Sequence, residues 1–419
     1  MNKIVKQIRK TAKIIIDYNI VGDYKVYRLK HTPIEVKFLM TRKYNKLWKN
    51  KEINTSKVIF DNYMGSGFGC NGKYVTLELL KTNPKLDIVW VVKNAAYRKN
   101  EFPKGVRLVE YMSDEAFYEY ATAAVWVCNF QMVAYINKGL RKKEGQSYIQ
   151  MWHGSFGIKK IEHDCNILNA DKNWVILSKM NAQMTDYWIS NSVFENEVYT
   201  KSFWNVKDIL MYGHPRNDIF FNENSKLTID IRSKLGIREG VKNILYVPTF
   251  RDNADIEGFT LDYGKLVQSL RERFGGEWNI LIRMHPKMKG MANKVIPKED
   301  YIVDVTAYPD IQELLLMADA LVTDYSSAIF DFMLTKKPGF IYATDIDGYD
   351  KQRGLYYPME QTPFPIARNN DELRDNVINF NEESYKQRVS QFLADKGSVE
   401  DGNATDKVVS LIDSLVSQK

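Results

Sequence analysis

Cysteine is scarce: Cys70, Cys128 and Cys165 are the only three in 419 residues, and no CxxC pair exists. That count supplies neither a disulfide framework nor a cysteine zinc site. Long apolar runs are missing as well. No window reaches 18 consecutive apolar residues, so no membrane-spanning helix is expected. The opening MNKIVKQIRKTAKIIIDYNI interleaves charge with apolar side chains. It lacks the apolar block and small-residue cleavage site of a signal peptide, and a cytoplasmic location is expected. HExxH, the Walker A lysine motif and the kinase set are all absent, and no metal-ligand cluster stands out. Gly65-Ser66-Gly67-Phe68-Gly69 falls short of GxGxxG and reads as a turn or an acceptor-side loop.

What is present is a soluble-enzyme composition, 44% hydrophobic and 26% charged, on a chain of two-domain length. Charge is unevenly placed. Residues 1–57 hold 15 Lys/Arg against 4 Asp/Glu, a net of +11, so with +7 overall the remainder carries −4. Ile4, Val5, Ile8, Ala12, Ile15 and Ile16 recur near helical spacing with lysines and Arg9 between them. That pattern fits a helix lying on anionic lipid, or a solvated helix packed on the body through the same stripe. No recognised nucleic-acid motif accompanies the charge, so no nucleic-acid partner is expected.

From Lys57 onward, short apolar runs alternate with helical stretches. The runs are 57–62, 87–94, 106–111, 123–130, 147–154, 173–178 and 208–214, then 244–250, 278–286, 301–306, 320–327 and 339–345. Near-continuous apolar runs fit strands covered on both faces, and repeated βα units imply a parallel, doubly wound sheet. Residues 221–243 are polar and interrupt the pattern. The division expected is a basic segment 1–56, a Rossmann-like domain 57–225 and a second one 226–419. Helices at about 383–419 could return across the junction. In such sheets ligands bind beyond the carboxyl ends of the strands.

The informative residues sit where those runs end. His153 follows SYIQMW; a histidine there can take a proton from an attacking hydroxyl, or it is simply hydrogen-bonded inside a loop. Gly154 beside it lets substrate approach the backbone. Arg283-Met284-His285-Pro286 puts two cationic-capable side chains at a strand end, suited to a diphosphate or to the charge developing on it. Asp324-Tyr325-Ser326-Ser327 reads as a strand-turn-helix whose opening attracts phosphate, with Asp331 one helical turn on, within reach of a ribose. Arg251 is a further strand-end guanidinium, for phosphate or for a surface ion pair. Arg216, Asn217 and Asp218 close the first half and either line the cleft or build the hinge.

Together these strings resemble the CDP-glycerol glycerophosphotransferases of teichoic acid and capsule synthesis. The matching segments are QMWHGSFGIKK, GHPRND, YVPTFRD, IRMHP and the run 308–338, with Tyr349 and Arg353-Gly354 trailing. The resemblance implies a GT-B-like α/β fold, two Rossmann-like domains facing a cleft. It implies a CDP-glycerol or CDP-ribitol donor and no cofactor. The acceptor, a lipid-linked glycan or a polyol-phosphate polymer, would attack the β-phosphorus and release CMP. It assigns His153 as base and His285 to the donor phosphates, with Arg251, Arg283, Asp324, Ser326 and Ser327 around them. Asp331 would touch the ribose, and Gly154, Arg216, Asn217 and Asp218 would line the acceptor side. Lipid-linked acceptors would hold the protein at the inner membrane face. The string SFGIKK departs from the family's usual run after its histidine, which bears on the acceptor. A nucleotide-sugar glycosyltransferase, or a non-catalytic membrane-bound assembly component, would share much of this pattern.

Overall fold

A computed structural model describes residues 16–165, 171–204, 206–249, 260–284, 296–346 and 354–417. The basic stripe of residues 1–15 lies outside the described residues. Ile16, its last apolar member, opens a strand.

Among the described residues, three sheets follow one another along the chain. The first is antiparallel: β1 (Ile16–Val21), β2 (Tyr24–Leu29) and β3 (Glu35–Leu39). The sequence reading placed no strand here. The second holds β4 (Asn54–Asp61), β5 (Asp87–Val92), β6 (Val106–Glu110), β7 (Ala123–Cys128), β8 (Ser147–Gln150), β9 (Tyr187–Ser190) and β10 (Asp208–Met211). All its pairings are parallel, in the order β10-β9-β8-β7-β4-β5-β6. The third holds β11 (Lys242–Val247), β12 (Trp278–Ile282), β13 (Ile302–Asp304), β14 (Ala320–Thr323), β15 (Gly339–Tyr342) and β16 (Ile366–Ala367). It too is parallel, ordered β13-β12-β11-β14-β15-β16. Two doubly wound sheets in one chain form the GT-B-like α/β architecture expected of it.

Parallel strands must be covered on both faces, which is why β5 (DIVWVV) and β7 (AAVWVC) are almost wholly buried. Winding reverses between β4 and β7 in one sheet and between β11 and β14 in the other. The crevice beyond those strand ends is where open α/β sheets bind ligands.

The run 173–178 is not a strand. It lies in the helix Lys172–Met184, capped by Asp171, whose Oδ1 accepts from the Asn173 and Trp174 amides at 2.9 and 3.2 Å. Leu177 and Asn181, and Ser178 and Ala182, are buried four residues apart, the helical period. The strand itself comes later, at β9. The polar stretch after 221 holds the helix Ser225–Lys234. The last helix, Ala404–Ser417, packs Val408, Ile412 and Leu415 among Val58, Val75 and Ile88 of the first half.

Candidate active site

His153 lies three residues beyond β8. Gln150 Oε1 accepts from the Trp152 amide at 3.0 Å, and Trp152 takes a left-handed backbone, φ 44°. This turns the histidine toward Asn129, the residue after β7. Its Nδ1 stands 2.8 Å from the Asn129 carbonyl oxygen. A carbonyl only accepts, so Nδ1 carries the hydrogen and Nε2 of the neutral ring keeps its lone pair. Tyr63, Phe130 and Trp152 surround the imidazole, with ring centroids 4.4, 5.6 and 4.2 Å away. Burial pulls its pKa down to about 4; the Asn129 carbonyl opposes this, and the nearby Arg216 and His214 add to it. The ring is therefore neutral at pH 7.

The Asn129 side chain fixes the surrounding turn. Its Oδ1 accepts from the Tyr63 amide at 2.9 Å and its Nδ2 donates to Asn62 Oδ1 at 2.6 Å. Asp61, at the end of β4, accepts from the Gly65 amide at 2.8 Å and the Tyr120 hydroxyl at 3.1 Å. Its burial raises its pKa to about 6. Gly65 has φ +76°, and a Cβ there would come within 2.9 Å of the Lys93 amide nitrogen. The glycine-rich string thus builds a tight loop beside the histidine, as a turn.

Arg216 is buried between the halves. Its Nε and Nη2 donate to Asp331 Oδ2 and Oδ1 at 2.9 and 3.1 Å, and Nη2 also donates to the Gly154 carbonyl at 3.1 Å. Nη1 is buried and has no partner among the described residues. Burial opposes its charge, yet the Asp331 carboxylate more than compensates and holds it protonated. Asn217 bridges further: its Oδ1 accepts from Gln312 at 2.9 Å and its Nδ2 donates to Glu400 at 2.8 Å. A second cross-link joins Lys73, on the helix Cys70–Thr82, to Asp310 and Glu313 at 2.6 and 2.5 Å.

At the second switch point Asp324 accepts from the Thr249 amide at 3.0 Å and from its hydroxyl at 2.9 Å. This ties the end of β14 to the end of β11. Ser326 Oγ accepts from the Ala328 amide at 3.3 Å, and Ser327 makes no side-chain cap. Both serines are half-buried at the opening of the helix Ala328–Phe332. Arg283 follows β12; its Nη1 donates to the Tyr308 carbonyl at 2.5 Å. Burial lowers its pKa and the Asp310 charge resists. His285, Arg251, Tyr349 and Arg353 lie outside the described residues.

Three of the expected site residues hold protein partners. Both Asp331 carboxylate oxygens accept from Arg216. Asp324 accepts from the Thr249 amide and hydroxyl. Asp218 accepts from the Ala404 and Thr405 amides at 3.1 and 2.7 Å, capping the last helix. His214, another strand-end histidine, is fully buried with Nε2 3.1 Å from Glu195.

Sequence reading missed Asn129, Gln312 and Asn71. Asn71 donates to the Met151 and Trp152 carbonyls at 3.0 and 3.2 Å and accepts from the Arg216 amide at 3.1 Å. Asn129 falls inside the apolar run 123–130, and only the end of β7 at Cys128 sets it beyond the strand.

Residues 43–414 match the family described as CDP-Glycerol:Poly(glycerophosphate) glycerophosphotransferase. The teichoic acid poly(glycerol phosphate) polymerase of Staphylococcus epidermidis is 31% identical over 97% of this chain and 58% of its own length. The chain thus spans little more than half of that relative. The teichoic acid glycerol-phosphate transferase of Staphylococcus aureus is 30% identical over 86% of this chain and 93% of its own. Among solved structures, a histidine variant of the wall teichoic acid polymerase TagF soaked with CDPG superposes with a TM-score of 0.78. It is 29% identical and covers 90% of this chain and 93% of that one.

Proposed function

Because the chain belongs to the CDP-glycerol:poly(glycerophosphate) glycerophosphotransferase family, we propose that it transfers glycerol phosphate from CDP-glycerol to a hydroxyl of a lipid-linked acceptor in teichoic acid or capsule synthesis. The observation that carries the mechanism is the 2.8 Å bond between His153 Nδ1 and the Asn129 carbonyl. It leaves the Nε2 lone pair as a base beyond the carboxyl end of β8.

The acceptor hydroxyl gives its proton to Nε2 as its oxygen attacks the β-phosphorus. A new P–O bond forms, the bond to the bridging oxygen breaks, and CMP leaves with that electron pair. Neutrality at pH 7 makes the imidazole available as base before substrate arrives. Arg216 holds the halves together through Asp331, and its spare Nη1 hydrogens suit the charge that develops on the phosphoryl oxygens. The donor diphosphate belongs at the second switch point, with Ser326, Ser327 and Arg283. His285 and Arg251, from their strand-end strings, complete that set. The basic N-terminal segment supports work at the inner membrane face. Among the described residues no helix is long and apolar enough to cross a membrane.

Incubating the protein with CDP-glycerol, CDP-ribitol and a lipid-linked acceptor tests this reading. Acceptor-dependent CMP release from CDP-glycerol, with glycerol phosphate joined to the acceptor, is expected. CMP release from CDP-ribitol alone would change the alditol. Transfer only from a nucleotide sugar would overturn the reaction class.

A further inference from the structure

The opening turn of the helix Cys70–Thr82 grips both halves of the molecule. Asn71 donates to the carbonyls of Met151 and Trp152, which lead into His153, at 3.0 and 3.2 Å. Lys73, two residues on, projects to the other side of the helix, because each residue turns the chain by about 100°. Its Nζ crosses to Asp310 Oδ2 and Glu313 Oε1 of the second half at 2.6 and 2.5 Å. The Tyr74 hydroxyl donates to the same Asp310 oxygen at 3.1 Å.

The far end of this cross-link lies at Arg283, after β12. Asp310 caps the helix Ile311–Met317, accepting from the Gln312 amide at 3.0 Å. Glu313, in the first turn of that helix, accepts from the Tyr308 hydroxyl at 2.5 Å. The Tyr308 carbonyl in turn accepts from Arg283 Nη1 at 2.5 Å. An unbroken series of contacts thus runs from the backbone before His153 to the guanidinium after β12.

The link is ionic and enclosed. The Lys73 and Asp310 side chains are 12 and 2% exposed. Burial opposes the lysine's charge, and the two carboxylates more than compensate and keep it protonated. A buried ion pair adds little stability over apolar packing of the same volume. Its distinct contribution is one geometry, because the charges are satisfied only at hydrogen-bond distance.

We propose that Lys73 is a positioning residue for transfer. It fixes the half that carries His153 against the half that carries Arg283, so that the attacking hydroxyl meets the donor phosphorus in line. The role rests on the reaction proposed above and adds the group that sets the distance between base and donor. Lys73 acts through the helix it shares with Asn71 and through Glu313 and Tyr308. A misplacement of about 1 Å between reacting groups can cost about 10²-fold in rate.

The test measures CMP release with a lipid-linked acceptor, and the calorimetric Kd for CDP-glycerol, in wild type, Lys73→Met, Glu313→Gln and the double variant. Lys73→Met should lower kcat per folded molecule about tenfold or more while the donor Kd stays within about twofold. Glu313→Gln keeps an acceptor for the Tyr308 hydroxyl and leaves Asp310 to hold the lysine, so kcat should fall only about threefold. The double variant should fall no further than Lys73→Met, because residues of one network are not additive. A Lys73→Met protein that melts lower but turns over at the wild-type rate would make the cross-link structural only and overturn the role. So would losses that multiply in the double variant, or a donor Kd that weakens as much as kcat falls. A wild type that transfers nothing from CDP-glycerol would sink the reaction and this role with it, whereas full turnover in the variants would sink the role alone.

Discussion

Arg216, at the close of the first half, is clamped by Asp331 of the second through two hydrogen bonds of 2.9 and 3.1 Å, in a place where both side chains are buried. Removing one member of a buried ion pair strands the other charge, at a cost of about 3–5 kcal/mol. Asp331→Asn should therefore lower unfolding free energy by about that much in a denaturant titration. Donor affinity should fall far less if the Asp331 oxygens are committed to Arg216. A Kd for the donor that collapses while stability holds would return Asp331 to the ribose.

Asp218 makes a contrasting case. Its carboxylate caps the helix Ala404–Ser417, so Asp218→Ala should cost about 1 kcal/mol, the usual worth of such a cap. Turnover per folded molecule should stay near wild type. A specific loss of activity with the melting temperature unchanged would place the residue in the cleft.

The legibility of this site in the sequence followed strand ends. His153, Arg283 and the 324–327 turn all lie beyond strands, because apolar runs announce parallel strands and their ends announce the crevice. Roles were less legible than positions. Asp331 and Asp324 read as ligand contacts from their strings, and each also holds a partner distant in sequence, Arg216 and Thr249. No local pattern reports such a pairing. The run 173–178 misled because four apolar residues fit either period; the cap at Asp171 decided it. The β1–β3 sheet was hidden because its strands mix charged and apolar side chains and bury little.

The pKa of His153 gives a pH prediction. Burial depresses it to about 4 from the ordinary 6.5. The stability that goes with a neutral ring is present above pH 6.5 and is lost as pH falls through 4. His153→Gln should accordingly flatten the decline in melting temperature between those values. In kinetics, the acid limb of kcat/KM should lie near 4–5 rather than 6.5, since it reports the free enzyme. Donor phosphates beside the ring favour its charged form, so the limb of kcat should fall at higher pH. Coincident limbs near 6.5 would mean a solvated histidine.

Asn129 holds His153 through its backbone and the turn through its side chain. Asn129→Ala keeps the carbonyl but removes the side-chain bonds to the Tyr63 amide and to Asn62 Oδ1. Turnover should drop about tenfold while KM for the donor changes little, because Tyr63 of the 62–65 turn lies against the His153 ring, with centroids 4.4 Å apart. An unchanged kcat would show that the turn is immaterial to the base.

The most direct test of the central claim is donor binding and CMP release measured side by side for wild type and His153→Ala. If His153 is the general base, turnover should fall by about 10²-fold or more while the calorimetric Kd for CDP-glycerol stays within about twofold. A variant that binds donor and releases CMP at close to the wild-type rate would contradict it.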